Sequence, residues 1–157
     1  MLYDEIKQFV TILLMHLPYV QVVGSYARKE KEINDLDLIT MMPISNVLFD
    51  LQRMLSTEKT HKLFVYDIKN MGTQYAKVTI TLSNLKSFDI DIWNAQTPYE
   101  MKFLKWMRTM DKGRNIAYRK MARDKNLILS DRYLYDNVMK EFIDFDNIED
   151  LKKFLKQ

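Results

Sequence analysis

Apolar residues at Tyr3, Ile6, Phe9, Val10, Leu13, Leu14 and Leu17 follow the i, i+3, i+4, i+7 spacing of one helix face. The pattern predicts an amphipathic helix over residues 3–16, ended by Pro18. Val20-Gln21-Val22-Val23 reads as a strand stopped by Gly24-Ser25, followed by a polar loop from Tyr26 to Asn34. A second strand runs from Leu36 to Met41 and is closed by Pro43; Ser45 is placed to cap a helix over about 46–55. The period then changes to two. Lys62 to Lys69, Gln74 to Leu82 and Ser87 to Trp93 are β-branched or alternating runs, separated by Asn70-Met71-Gly72 and Ser83-Asn84, which predicts a three-stranded meander. From Pro98 the helical period returns, over about 98–107 and about 115–125. Leu127-Ile128-Leu129 and Tyr133-Leu134-Tyr135 suggest a small hairpin, and a last helix covers about 148–156. The shift near residues 94–98 separates a mixed sheet-and-helix unit, 1–96, from a mainly helical unit, 97–157, so the expected class is α+β.

Composition narrows the chemistry. The chain has no cysteine, which excludes a disulfide scaffold, a thiol nucleophile and a cysteine-held metal. Three glycines and three prolines in 157 residues leave little room for linkers. The longest apolar stretch, Phe9 to Leu17, is nine residues with Thr11 and His16 inside it, too short to span a bilayer. The opening Met1-Leu2-Tyr3-Asp4-Glu5 lacks the basic start of a signal peptide, so an intracellular location and no membrane partner are expected. The net charge of +3 is unevenly placed: residues 102–125 hold nine basic and two acidic residues, while the flanking segments are each slightly acidic. A compact basic stretch points to a polyanion, nucleic acid first, against the plainer reading of a solvated helix face.

Candidate chemistry gathers in two places. Asp35 and Asp37 are two apart in an apolar strand, so they share one face roughly 7 Å apart. Two carboxylates there repel, and a magnesium ion, which takes oxygen ligands and substrate phosphates, relieves the repulsion best. Asp89 and Asp91 repeat the pattern, with Phe88, Ile90 and Ile92 facing the other way. If the two strands lie side by side, a third carboxylate completes a set able to hold two ions for phosphoryl transfer. Gly24-Ser25 adds a turn where backbone and hydroxyl can approach a phosphate, and Arg28 adds a bidentate fork. Alone, an Asp-x-Asp is a solvent-facing strand and a Gly-Ser is a turn; their combination at this spacing carries the functional reading. Glu30 and Glu32 read as solvated loop residues. His16 and His61 lack ligand spacing, and the eleven methionines read as core filler.

At Gly24-Ser25, Asp35-Leu36-Asp37 and Asp91 the chain resembles the polymerase-beta-type nucleotidyltransferase superfamily, whose signature is Gly-Ser, a short loop, Asp-x-Asp and a distant third Asp. Gly24-Ser25-Tyr26-Ala27-Arg28 also resembles small bacterial nucleotidyltransferases, including antitoxin-like proteins that modify proteins. Three further stretches resemble family X DNA polymerases: Met71 to Lys77 leading into Val78–Leu82, the segment Asn115-Ile116-Ala117-Tyr118-Arg119, and Leu127 to Tyr135 with Ile148 to Leu155.

The resemblance implies a palm domain over 1–96 and a small, mainly helical thumb with a short hairpin over 97–157. It implies Asp35, Asp37 and Asp91 as catalytic residues and ligands of two Mg2+ ions, with Mn2+ a possible substitute. Asp91 is preferred to Asp89 because Asp91-Ile92-Trp93-Asn94-Ala95 resembles the Asp-Leu-Phe-Thr-Ala pattern of reduced viral family members. It implies that Gly24, Ser25, Arg28 and the backbone of Asn34 hold the triphosphate. Asn115 and Arg119, four apart on one helix face, would contact nucleotide and template. The expected partners are dNTP and DNA, as primer-template or gapped duplex, bound by a monomer with help from the 102–125 helices. Gly24 lies 23 residues from the start, so the family's N-terminal lyase domain is not expected. Met107-Arg108-Thr109-Met110 replaces the aromatic–Thr-Gly turn that many members place before the thumb helix. The competing readings are a nucleotidyltransferase that modifies a protein or small molecule, and a DNA-binding module without catalysis.

Overall fold

The computed structural model describes residues 1–57, 65–81 and 86–157. The chain is α+β, in the order α1 (Tyr3–His16), β1 (Gln21–Val23), α2 (Gly24–Ala27), β2 (Asp35–Thr40), α3 (Ile44–Thr57), β3 (Val65–Met71), β4 (Tyr75–Thr81), β5 (Ser87–Asn94), α4 (Pro98–Thr109), α5 (Lys112–Asp124), β6 (Leu127–Leu129), β7 (Leu134–Asp136), β8 (Glu141–Ile143) and α6 (Ile148–Lys156). No described helix is long and apolar enough to cross a membrane.

The first eight of these elements build a five-stranded mixed sheet in the order β1-β2-β5-β4-β3. Strands β3, β4 and β5 form the expected antiparallel meander; residues 62–64, Leu82 and the Ser83-Asn84 turn of that expectation lie outside the described residues, as does His61. Beside the meander, β2 pairs with β5 in parallel, with Asp35 opposite Asp89 and Asp37 opposite Asp91. Alternation divides the sheet. Leu36, Leu38, Ala76, Val78, Ile80, Phe88, Ile90 and Ile92 point to one face and pack in one core with Ile6, Phe9, Leu13 of α1 and Val47, Leu51, Met54 of α3. The opposite face carries the aspartates.

The second unit has its own core, in which Phe103 and Met107 of α4, Tyr118 and Ala122 of α5, Leu134 of β7 and Leu151 and Leu155 of α6 are all buried. Three helices start on side-chain caps: Thr97, Asp111 and Asn147 accept from the backbone N–H three residues on. A small third cluster, Val23, Ile39, Ala95 and Leu104, joins α4 to the aspartate-bearing face of the large sheet.

Four expectations change. α3 starts at Ile44, because the Pro43 carbonyl accepts from Asn46 and Val47; Ser45 sits exposed inside the first turn and is no cap. Gly24-Ser25 does more than stop a strand, since Gly24–Ala27 forms one helical turn. α5 begins at Lys112, earlier than 115, because the Asp111 cap precedes a polar first turn that apolar periodicity does not register. The hairpin is a three-stranded sheet: the Asp136 carboxylate accepts from the Val138 and Met139 N–H groups, Lys140 takes φ 58°, and β8 pairs back onto β7.

Arg132, in the β6–β7 turn, fastens the two units. Its guanidinium donates to the carbonyls of Asn94 and Gln74, at the ends of β5 and β4, and to the Glu100 carboxylate at 3.4 Å. Its side chain is only 17% exposed. Arg132→Met keeps the stem and removes these bonds, leaving two carbonyls to find water in a tight seam. Urea denaturation is expected to show a loss of about 2–4 kcal/mol; a variant as stable as the wild type would show that Arg132 does not fasten the units.

Candidate active site

The carboxylate cluster follows from strand register. Residues opposite one another on adjacent strands lie about 4.8 Å apart and project to the same side. Parallel pairing of β2 with β5 therefore sets Asp35, Asp37, Asp89 and Asp91 in a square on one face. Antiparallel β4 adds Lys77 opposite Asp91 and Thr79 opposite Asp89. The Lys77 ammonium lies 3.6 Å from Asp91 and 3.8 Å from Asp89, and Thr79 Oγ1 donates to Asp89 at 2.6 Å. Asp91 is the most buried of the four and accepts the hydroxyl of Tyr75.

This crowding shifts proton affinities. Asp37 is pushed up to about 7, chiefly by burial and then by the charges of Asp91 and Asp35, against the pull of Arg108 and Arg28. Asp35 is also raised, by burial first and then by Asp91, while Lys77 opposes the rise. Burial and the bond to Asp91 raise the Tyr75 hydroxyl well above its ordinary range. Asp91, not Asp89, is the leading charge on both Asp35 and Asp37, in line with its register opposite Asp37.

Gly24 has a specific task. Its φ is +72°, and a Cβ there would lie 1.9 Å from Asp37 Oδ2. The close anion approach that the glycine permits is used by the protein's own Asp37 carboxylate.

In front of the aspartates lies an open cleft of about 520 Å³ between the two units. Gly24, Ser25, Arg28, Asn34, Asp35 and Asp37 line one wall, and Asn115 and Arg119 the other. Asp91, beside Asp37 on the neighbouring strand and bonded to Tyr75, is not among the residues that line the cleft. Arg28 lines the cleft with its guanidinium already engaged: Nε and Nη2 are on Glu30 at 3.1 and 2.7 Å and Nη1 is near the Thr109 and Met110 carbonyls. Glu30, read from sequence as a solvated loop residue, is thus the partner of Arg28, and both Glu30 and Glu32 line the cleft. On the far wall the Arg119 Nε donates to Asn115 at 2.6 Å, and the Asn115 amide donates to the Met107 carbonyl at 2.9 Å. Asn115 and Arg119 share one helix face, as their i, i+4 spacing requires, and there they bond to each other.

Sequence reasoning gave no individual role to Lys77, Tyr75 and Asp131, and counted Arg108 and Lys112 only among the basic residues of 102–125. The first two were findable once β4 was placed beside β5, since register alone sets Lys77 against Asp91. Arg108 stacks 4.1 Å over the Trp93 ring and pairs with Asp131 from another element, a contact no local pattern announces.

Among the described residues no group of three acidic or imidazole side chains is arranged to enclose a metal ion. The donor set nonetheless suits a hard divalent cation: its ligands are all carboxylate oxygens, and their mutual repulsion is what such a cation relieves. Neither the protein-family models nor the curated proteins compared with the sequence match it.

The raised Asp37 carboxyl makes stability pH-dependent. In the unfolded chain this group titrates near 4. Its proton is therefore held by the folded state, and the resulting stability, full below pH ~4, is lost as pH rises through about 7. Asp37→Asn removes that loss. In urea denaturation with EDTA present, D37N is expected to exceed the wild type by about 1–3 kcal/mol at pH 8 and to lie close to it at pH 4. A D37N chain no more stable at pH 8 would show that neither burial nor repulsion of the ionised Asp37 carboxylate strains this site.

Proposed function

We propose that this chain is a polymerase-beta-type nucleotidyltransferase, a template-directed DNA polymerase of family X with a palm over 1–96 and a thumb over 97–157, suited to filling short gaps. One observation carries the reading: a single cleft is lined by the Gly-Ser turn and Asp-x-Asp strand of one unit and by Asn115 and Arg119 of the other. Lys112 lines the same cleft, and Arg114, Lys120 and Arg123 of α5 are exposed; cations of this kind suit DNA phosphates.

In this reading Asp35, Asp37 and Asp91 hold two magnesium ions, or manganese in their place. Such ions supply charge neutralisation at the triphosphate and make the primer hydroxyl more acidic. Asp91 stands beside Asp37 on the neighbouring strand, with Tyr75 and Lys77 fixing its direction. Ser25 and the backbone at Gly24 and Asn34 orient the triphosphate for in-line displacement, in which the primer 3′ oxygen bonds to the α-phosphorus and pyrophosphate departs. Asn115 and Arg119 contact nucleotide and template from the thumb side. Arg28 serves the triphosphate only by leaving Glu30.

A second reading, nucleotide transfer to a protein or small molecule, draws on the pairing of Arg28 with Glu30 and of Arg119 with Asp131, which reduces the free positive charge a duplex would meet.

Extension of a labelled primer across a one-nucleotide gap, with magnesium, low salt and each dNTP in turn, separates the readings. Template-directed addition is expected, with Asp35→Ala lowering the rate roughly a thousandfold. Nucleotide transfer without DNA dependence would favour the second reading. Tight DNA binding with no transfer of any kind would leave a binding module.

A further inference from the structure

Two guanidiniums on the thumb wall converge on one carboxylate. Arg108 Nη2 pairs with Asp131 Oδ2, and Arg119 Nη2 pairs with Asp131 Oδ1. Each oxygen thus takes one arginine, the arrangement in which a phosphate offers two of its oxygens to two guanidiniums. All three residues line the cleft, and their side chains remain 27–40% exposed, so a ligand in the cleft can reach them.

The arginines are held from behind. Arg108 lies 4.1 Å over Trp93. Arg119 is fixed through Nε to Asn115, itself bonded to Met107. Asp131 is fixed too: Ser130 Oγ accepts from the N–H groups of Arg132 and Tyr133, and Arg132 is anchored on the large sheet. Arg108 nevertheless keeps a defect. Its Nε is a buried polar atom with no hydrogen-bond partner among the described residues. An arginine kept for packing alone would be better replaced by an apolar side chain. Its charge, poised between Asp131 and the aspartate square, is the property that such a defect preserves.

We propose that Arg108 and Arg119 form a phosphate-binding subsite on the thumb wall, and that Asp131 is an internal stand-in for the phosphate, competing with it for both guanidiniums. The inference deepens the nucleotidyltransferase reading by assigning a second anion position in the same cleft, and it rests on that reading only for which phosphate is bound. A polyphosphate carries more charge than one carboxylate and presents more oxygens, so it displaces Asp131 from the arginines without moving the turn. The phosphate belongs either to a polyphosphate tail or to a nucleic-acid backbone, and the two are separable.

The test is metal-free binding, which does not depend on turnover. Inorganic tripolyphosphate and a single-stranded oligonucleotide lacking terminal phosphates are titrated at low salt into the wild type and Asp131→Asn. Calorimetry gives affinity, and Trp93 emission in a Trp106→Phe background reports on Arg108, since these are the only two tryptophans. D131N keeps an acceptor oxygen and loses the competing charge, so binding is expected to tighten roughly threefold to thirtyfold. Tightening for tripolyphosphate assigns the subsite to a polyphosphate tail; tightening for the oligonucleotide assigns it to backbone phosphate. Unchanged or weaker binding of both by folded D131N overturns the proposal. Arg108→Gln and Arg119→Gln give a reading that does not need D131N to fold: each is expected to weaken wild-type binding of the preferred probe at least about threefold, and no weakening in either overturns the proposal. Failure of primer extension with this binding pattern intact would remove the polymerase reading and leave the subsite standing.

Discussion

Everything at the candidate site depends on one register: β2 and β5 run parallel with Asp37 opposite Asp91. That pairing brings four carboxylates within one square of sheet. Without cations the arrangement is costly, because each charge lies in a partly dry setting beside like charges. The protein answers with Lys77 from β4, with the guanidinium of Arg108 from α4, and with a proton kept on Asp37 near neutral pH. These are partial answers. They leave a sheet face that is still electronegative where Asp35 and Asp37 meet the cleft.

The other face of the same sheet makes the strain tolerable. Leu36, Leu38, Ile90 and Ile92 alternate with the aspartates and are fully buried against α1 and α3. Burying such side chains contributes about 1.5–3 kcal/mol each. Strand alternation therefore couples the two faces: a one-residue slip would bury the acids and expose the core, so the hydrophobic face holds the acid square in register. Gly24 closes the arrangement from above, since only a residue without Cβ can sit where Asp37 Oδ2 lies.

Much of this was legible in the sequence because it is local. Helix α1 and the alternation through Tyr75–Thr81 and Ser87–Asn94 were read at nearly their observed bounds. The Asp-x-Asp pattern announced a shared face, and the meander announced β5 as a neighbour of β4. What was not legible is what joins distant segments. The parallel β2–β5 pairing stood only as a condition, because two short apolar strands carry no sign of which edge they share. Arg108, Asp131 and Arg132 lie in stretches whose charge looks merely basic or polar; their meaning is in partners 23 to 58 residues away. β8 is three residues long, too short for a period to declare itself, and its pairing depends on the Asp136 turn.

The join between the two units bears on how the cleft can work. Each unit has a substantial core, but the apolar seam between them is the small cluster of Val23, Ile39, Ala95 and Leu104, supplemented by Arg132. Small, partly polar seams permit relative motion of the units they join. The cleft walls are tied across their mouth by reversible charge contacts: Arg28 to the α4 terminus, and Arg108 between Trp93 and Asp131. Each uses a side chain that a phosphate could recruit. An anion entering the cleft would therefore compete with contacts that cross between the two units.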